Sequence, residues 1–180
     1  MSLVSQISGP SRVRRLRAII LPAAVIGLVA ALAPFAGTIG RLAVRSRLHS
    51  PDLALLAAQP LVIKLHIAGA VGALLIGAML MTLRKGVALH RAAGWLWVAA
   101  MSLAAGASIF ITGINGDHWS LIHLFTGWTL IALPIAVIAA RRHQVKDHRR
   151  FMMGLFYGGL VINGFIAFIP GRTMWNVFFG

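Results

Sequence analysis

Five apolar stretches, each about 20 residues long, dominate this chain. A bilayer core about 30 Å thick takes about 20 helical residues to cross. The stretches run over 18–37, 61–83, 91–112, 120–140 and 149–170. In lipid every backbone N–H and C=O must be satisfied within its own segment, so the stretches read as helices rather than isolated strands. The expected fold class is therefore an all-α integral membrane protein with five transmembrane helices.

Composition supports this and removes much chemistry. The 180 residues are 59% hydrophobic, yet carry 17 Lys and Arg against three acids. A basic nucleic-acid binder would share the charge but not the apolar content, so nucleic acid is not an expected partner. The acids are Asp52, Asp117 and Asp147, widely scattered. Paired-carboxylate hydrolysis needs two acids close together, and calcium or magnesium sites need several oxygen ligands. With no Cys, disulfides, thiolate sites, iron–sulfur clusters and covalently attached c-type haem are excluded. Histidine, with seven copies, is the main ligand type left.

The cations give an orientation. Arg12, Arg14, Arg15, Arg17, Arg84, Lys85, Arg91, Arg141, Arg142, Lys146, Arg149 and Arg150 fall on one side, 12 of the 17. The positive-inside rule makes that side cytoplasmic. The N-terminus is then inside and the C-terminus outside, in a bacterial inner membrane. Residues 1–17 form a basic cytoplasmic segment, and 18–37 a peripheral helix. A stretch of about 20 apolar residues exceeds the 7–15 of a signal-peptide core, so it reads as retained. Residues 38–60 form an outer loop with short surface helices. There, Ser50 as cap, Pro51 at the first position and Asp52 in the first turn predict a helix over 52–58. Residues 61–172 form a four-helix bundle, and 173–180 an outer tail.

Within 61–172 the histidines mark a repeat. His66 and His90 are 24 residues apart, His123 and His148 are 25 apart, and Arg follows the second of each pair as Arg91 and Arg149. The two halves are offset by 57 to 58 residues, the pattern of a duplicated helical hairpin. Counting along the helices places His66 and His123 at an outer level, and His90 and His148 at an inner one. Two levels about 20–25 Å apart follow from the 1.5 Å rise per residue. If the hairpins face each other, each level holds two imidazoles. Bis-His ligation of a b-type haem needs that arrangement. Gly69, Gly94 and Gly127 follow three of the histidines by about one turn and make room for a flat macrocycle. Lys64, Arg91 and Arg149 supply cations for haem propionates. The glycines of the second span also permit close helix packing without a cofactor.

Several features have plainer readings. Asn115-Gly116-Asp117-His118-Trp119 reads as a turn with an interfacial Trp. His49 and His143 read as solvated loop residues, and Asn163 as an interhelical hydrogen-bonding group. Pro134 marks a kink in the fourth span.

The segments Lys64-Leu65-His66-Ile67-Ala68-Gly69, Leu89-His90-Arg91-Ala92-Ala93-Gly94, Gly127-Trp128 and Asp147-His148-Arg149-Arg150 resemble a family of small bacterial multi-pass membrane proteins of unknown function. The resemblance covers about residues 60–172 and implies no activity. The histidine layout is also similar to that of di-haem b-type membrane cytochromes, such as the ascorbate-reducible ones. By position this implies His66 with His123 and His90 with His148 as ligands of two haems b, one per leaflet. Gly154, not a glycine one turn on, follows His148, a departure that bears on the inner site. The expected function is electron transfer between an inner and an outer haem, with a quinone or a redox partner protein as donor or acceptor. The alternative is a non-redox accessory subunit or small transporter. Its histidines bind a transition metal, relay protons or pack structurally.

Overall fold

The computed structural model describes residues 36–111 and 122–180. The chain divides into two compact units, 1–46 and 47–180. In the first, the described part is helix α1, Ala36–Arg45. The expected basic segment, nearly all of the first span and the Asn115–Trp119 turn lie outside the described residues. As described, helix α1 takes in the end of the expected span, from Ala36, and covers much of the segment expected to lie on the surface.

The second unit is all-helical, with no strand among the described residues. It opens with α2, Leu53–Ala57, whose cap differs from the expected one. The Asp52 carboxylate, not Ser50, caps the helix by accepting from the Leu55 N–H at 2.8 Å. Asp is as good an N-cap as Ser, and its charge also suits the positive helix end.

The bundle comprises α3 (Leu61–Thr82), α4 (Ala88–Ser108), α5 (Ile122–Arg141) and α6 (Val145–Ala167). Three helices are long and apolar enough to cross a membrane: α3, α5 from His123, and α6. Helix α4 is as long at 21 residues, but His90, Arg91, Trp95 and Trp97 dilute its apolar character. The five expected spans thus reduce to three clear ones and this fourth helix, the first span being outside the described residues.

The turns between the helices follow from local chemistry. Helix α3 ends where Lys85 Nζ donates to the carbonyls of Leu80, Met81 and Leu83 at 2.6, 2.9 and 2.9 Å. A cation is well placed at the negative helix end, and Gly86 then reverses the chain at φ +81°. Between α5 and α6, His143 takes the left-handed conformation at φ 56°. Pro134 inside α5 cannot donate to the carbonyl four residues back. Helix α6 widens to a π-helix over Leu155–Ile162. Asn163 Nδ2 donates there to the carbonyls of Gly159 at 3.1 Å and Gly158 at 3.4 Å. These bonds lie within its own helix, whereas the sequence reading had it bond to a neighbour.

Packing closes the ring. Helix α3 lies along α4, α4 against α5, α5 against α6, and the π segment of α6 returns to α3. The core takes residues from all four: Ala73; Trp97 and Met101; Ala132 and Leu133; Leu155, Phe156 and Leu160. Small residues set the closest approach. A Cβ on Gly69 would lie 2.8 Å from the Ala104 nitrogen and 2.9 Å from the Ala100 oxygen. Large apolar side chains face outward instead, including Leu75 at 65% and Ile131 at 62% exposed. An apolar exterior around a tightly packed interior suits lipid as solvent.

The expected tail, 173–180, is helix α7, Thr173–Phe179. Its Val177 and Phe178 carbonyls accept from the backbone N–H groups of Asp52 and His49 at 2.8 and 3.0 Å. His49, expected to be solvated, has Nδ1 2.7 Å from the Ser50 oxygen and Nε2 3.1 Å from the Gly180 oxygen.

Candidate functional site

Because α3 adjoins α4 and the π segment of α6, and α5 adjoins α4 and α6, the diagonals of the ring join α3 to α5 and α4 to α6. His66 and His123 stand on the first diagonal, His90 and His148 on the second. Helical phase decides how each meets the interior. His66 shares a stripe with Gly69, Ala73 and Gly77, the buried residues of α3. His90 shares one with Ala93, Trp97, Met101 and Ala104, all buried. His148 lies two turns before fully buried Leu155. His123 stands at the margin of its helix's buried stripe, which runs through Thr126, Thr129, Leu133 and Ala136. All four rings are half-buried.

Two histidines have their tautomer fixed by the fold. His66 Nδ1 lies 2.8 Å from the Ala104 carbonyl oxygen on α4. His148 Nδ1 lies 2.9 Å from the Ala136 carbonyl oxygen on α5. A carbonyl can only accept, so Nδ1–H donates in each case, and the neutral ring keeps its lone pair on Nε2. Each of the two expected pairs contains one histidine held this way.

The other two rings carry buried nitrogens. His90 Nδ1 is buried with no hydrogen-bond partner, and His123 Nε2 is buried as well. His90 lies in the first turn of α4, beside the α3–α4 loop.

The remaining expected site residues divide. Nothing lies within 4 Å of where a Cβ would stand on Gly94 or Gly127, so both have room beside them. Gly69 does not, because α4's backbone occupies that space. Lys64 Nζ donates to the Ala57 carbonyl at the end of α2, at 3.1 Å, which answers its need for a partner. Arg91 donates to the Gly86 carbonyl at 2.6 Å and is exposed. Arg149 is exposed at the start of α6.

Sequence reasoning missed the buried polar cluster between α4 and α5. Ser108 Oγ and Thr126 Oγ1 are 2.9 Å apart and buried. Thr129 donates to the Phe125 carbonyl at 2.8 Å. Their shared helical face was the available signal. Among the described residues, no three of His, Cys, Asp or Glu gather as a metal-binding group.

An all-helical ring with membrane-length apolar helices and a lipid-suited exterior defines a multi-pass membrane protein. The chain belongs to the predicted membrane protein family DUF2306, whose model matches residues 63–178. All four bundle histidines fall inside that match. No curated protein and no solved structure matches the chain.

Proposed function

We propose that this protein is a di-haem b-type cytochrome of the bacterial inner membrane. It moves electrons between the basic, cytoplasmic end of the bundle and the opposite end. His66 with His123 hold one haem, and His90 with His148 the other. The observation that carries this reading is the carbonyl-bound Nδ1 of His66 and His148. A metal-ligating histidine characteristically donates its other ring nitrogen to a carbonyl or carboxylate, which orients the ring and raises its basicity. The buried, partnerless Nδ1 of His90 and the open space at Gly94 and Gly127 fit the same reading. Lys64 and Arg149 are the cations for propionates at the two ends.

When bound, a b-type haem supplies reversible one-electron chemistry. The protein's part is to present imidazole nitrogens, exclude water with the Trp97, Met101 and Phe156 core, and set the potential through burial and nearby charge.

The test is the optical spectrum of the full chain purified after expression with excess haem. A Soret band and a sharp α-band on dithionite reduction, at two haems per chain, are expected. Their absence, with stoichiometric copper or zinc or with no metal, overturns the proposal in favour of an accessory subunit or transporter. In that case the same histidine–carbonyl bonds serve as helix–helix contacts.

A further inference from the structure

At the basic end, the contact between α4 and α5 carries an arrangement the haem reading leaves unused. The Arg141 guanidinium carbon lies 5.6 Å from the centroid of the Trp95 ring. This is cation–π distance, across two helices. Trp95 is nonetheless 53% exposed. Arg91 stands one turn before Trp95 on α4, on the same face. Arg91 and Arg141 are both exposed.

Their depth is set by the helices. Arg141 is the last residue of a membrane-length helix, and Arg91 lies in the first turn of α4. Both therefore reach the level of lipid headgroups, while Trp95 lies one turn deeper, where interfacial Trp is enriched. Both guanidiniums are also restrained, Arg141 by the indole face and Arg91 by the Gly86 carbonyl at 2.6 Å. Each keeps further N–H donors. The described acids are Asp52, in the outer loop, and Asp147, in the first turn of α6, so no carboxylate on α4 or α5 competes for this pair.

We propose that Arg91, Trp95 and Arg141 form a binding site for the phosphate headgroup of an anionic glycerophospholipid. Two restrained guanidiniums match a phosphate diester through charge-assisted hydrogen bonds. The exposed indole packs against the glycerol region below it. A soluble acidic protein reaches the arginines but leaves the exposed indole, at the level of the glycerol region, without an apolar partner. Basic grooves between membrane helices on the cytoplasmic side bind anionic headgroups on this principle. The site needs no haem and stands or falls apart from the redox reading.

The experiment is native mass spectrometry of the full chain in neutral detergent. Phosphatidylglycerol, phosphatidylcholine or inorganic phosphate is added at matched concentration. One phosphatidylglycerol is expected to remain bound per chain, with phosphatidylcholine and phosphate about tenfold or more weaker. Arg141→Gln and Arg91→Gln should each weaken phosphatidylglycerol about tenfold, one charge-assisted contact each. Arg142→Gln, at the same end, should leave it unchanged. Helix content by circular dichroism confirms that each variant folds. Equal retention of phosphatidylcholine, phosphate binding as tight as lipid, or equal loss in Arg142→Gln each overturns the proposal. So does wild-type retention by Arg141→Gln.

Discussion

His66 on α3 donates its Nδ1–H to the Ala104 carbonyl on α4 across 2.8 Å, and His148 on α6 does the same to Ala136 on α5 across 2.9 Å. One such bond joins the helices of each hairpin, and they sit at opposite ends of the bundle. If both serve to aim Nε2 at a metal, each histidine governs its own centre. His66→Ala is expected to lower the haem content from two per chain to one, and His148→Ala likewise. The double variant should bind none. Pyridine haemochrome analysis measures this directly. Loss of both haems in either single variant would point to collapse of the bundle, which helix content by circular dichroism would reveal.

Close packing of the first hairpin rests on Gly69. A methyl group there would lie 2.8 Å from a backbone nitrogen and 2.9 Å from a backbone oxygen of α4, neither of which can swing aside. Gly69→Ala therefore forces α3 and α4 apart, at a cost of about 1–3 kcal/mol. Gly72→Ala, on the same helix with nothing within 4 Å, should be neutral or slightly stabilising, since Ala is the better helix former. Thermal unfolding in detergent should lower the midpoint for the first variant and not the second. Equal midpoints would mean that the hairpin is not held at this crossing.

How far the sequence foretold this depends on the kind of signal. The helices of 61–170 were legible because apolar length is a strong constraint in lipid. The histidine repeat was legible because two hairpins share one spacing. Gly69 was ambiguous, since a missing side chain admits a macrocycle and a neighbouring helix equally, and only the phase of α4 decides. The π segment of α6 was invisible, because Leu155–Ile162 reads as ordinary apolar helix. The cap of α2 was misplaced by two residues, since Ser50 and Asp52 are both good caps and tertiary pairing with α7 selects between them.

His143 offers a test on the backbone alone. It turns the chain between α5 and α6 at φ 56°, where a Cβ crowds the peptide and glycine does not. The neighbouring bonds hold this conformation, with Gln144 N–H donating to the Ala139 carbonyl at 2.9 Å. His143→Gly should raise stability by about 0.5–1 kcal/mol, the relief of strain being partly offset by the freer unfolded chain. His143→Val, β-branched, should lower it. Chemical unfolding of the two variants side by side reads the difference, and a destabilised glycine variant would show that the imidazole itself makes a needed contact.

The π segment depends on one side-chain amide. Widening a helix from i→i+4 to i→i+5 bonding displaces carbonyls from their usual donors, and Asn163 Nδ2 reaches those of Gly159 at 3.1 Å and Gly158 at 3.4 Å. Its Oδ1 is buried without a partner, so the residue gains two bonds while carrying one unsatisfied acceptor. Asn163→Ala removes the donors and leaves a gap, and should cost about 1–3 kcal/mol. Asn163→Leu removes the donors too, but also the orphaned oxygen, and it refills the volume, so it should cost less than Ala. The local effect is the sharper measure: amide exchange over Gly158–Asn163 should quicken in both variants while the first hairpin stays protected. Unchanged exchange in that stretch would mean that packing against α3, through Phe156 beside Gly77, holds the widened turn without the amide.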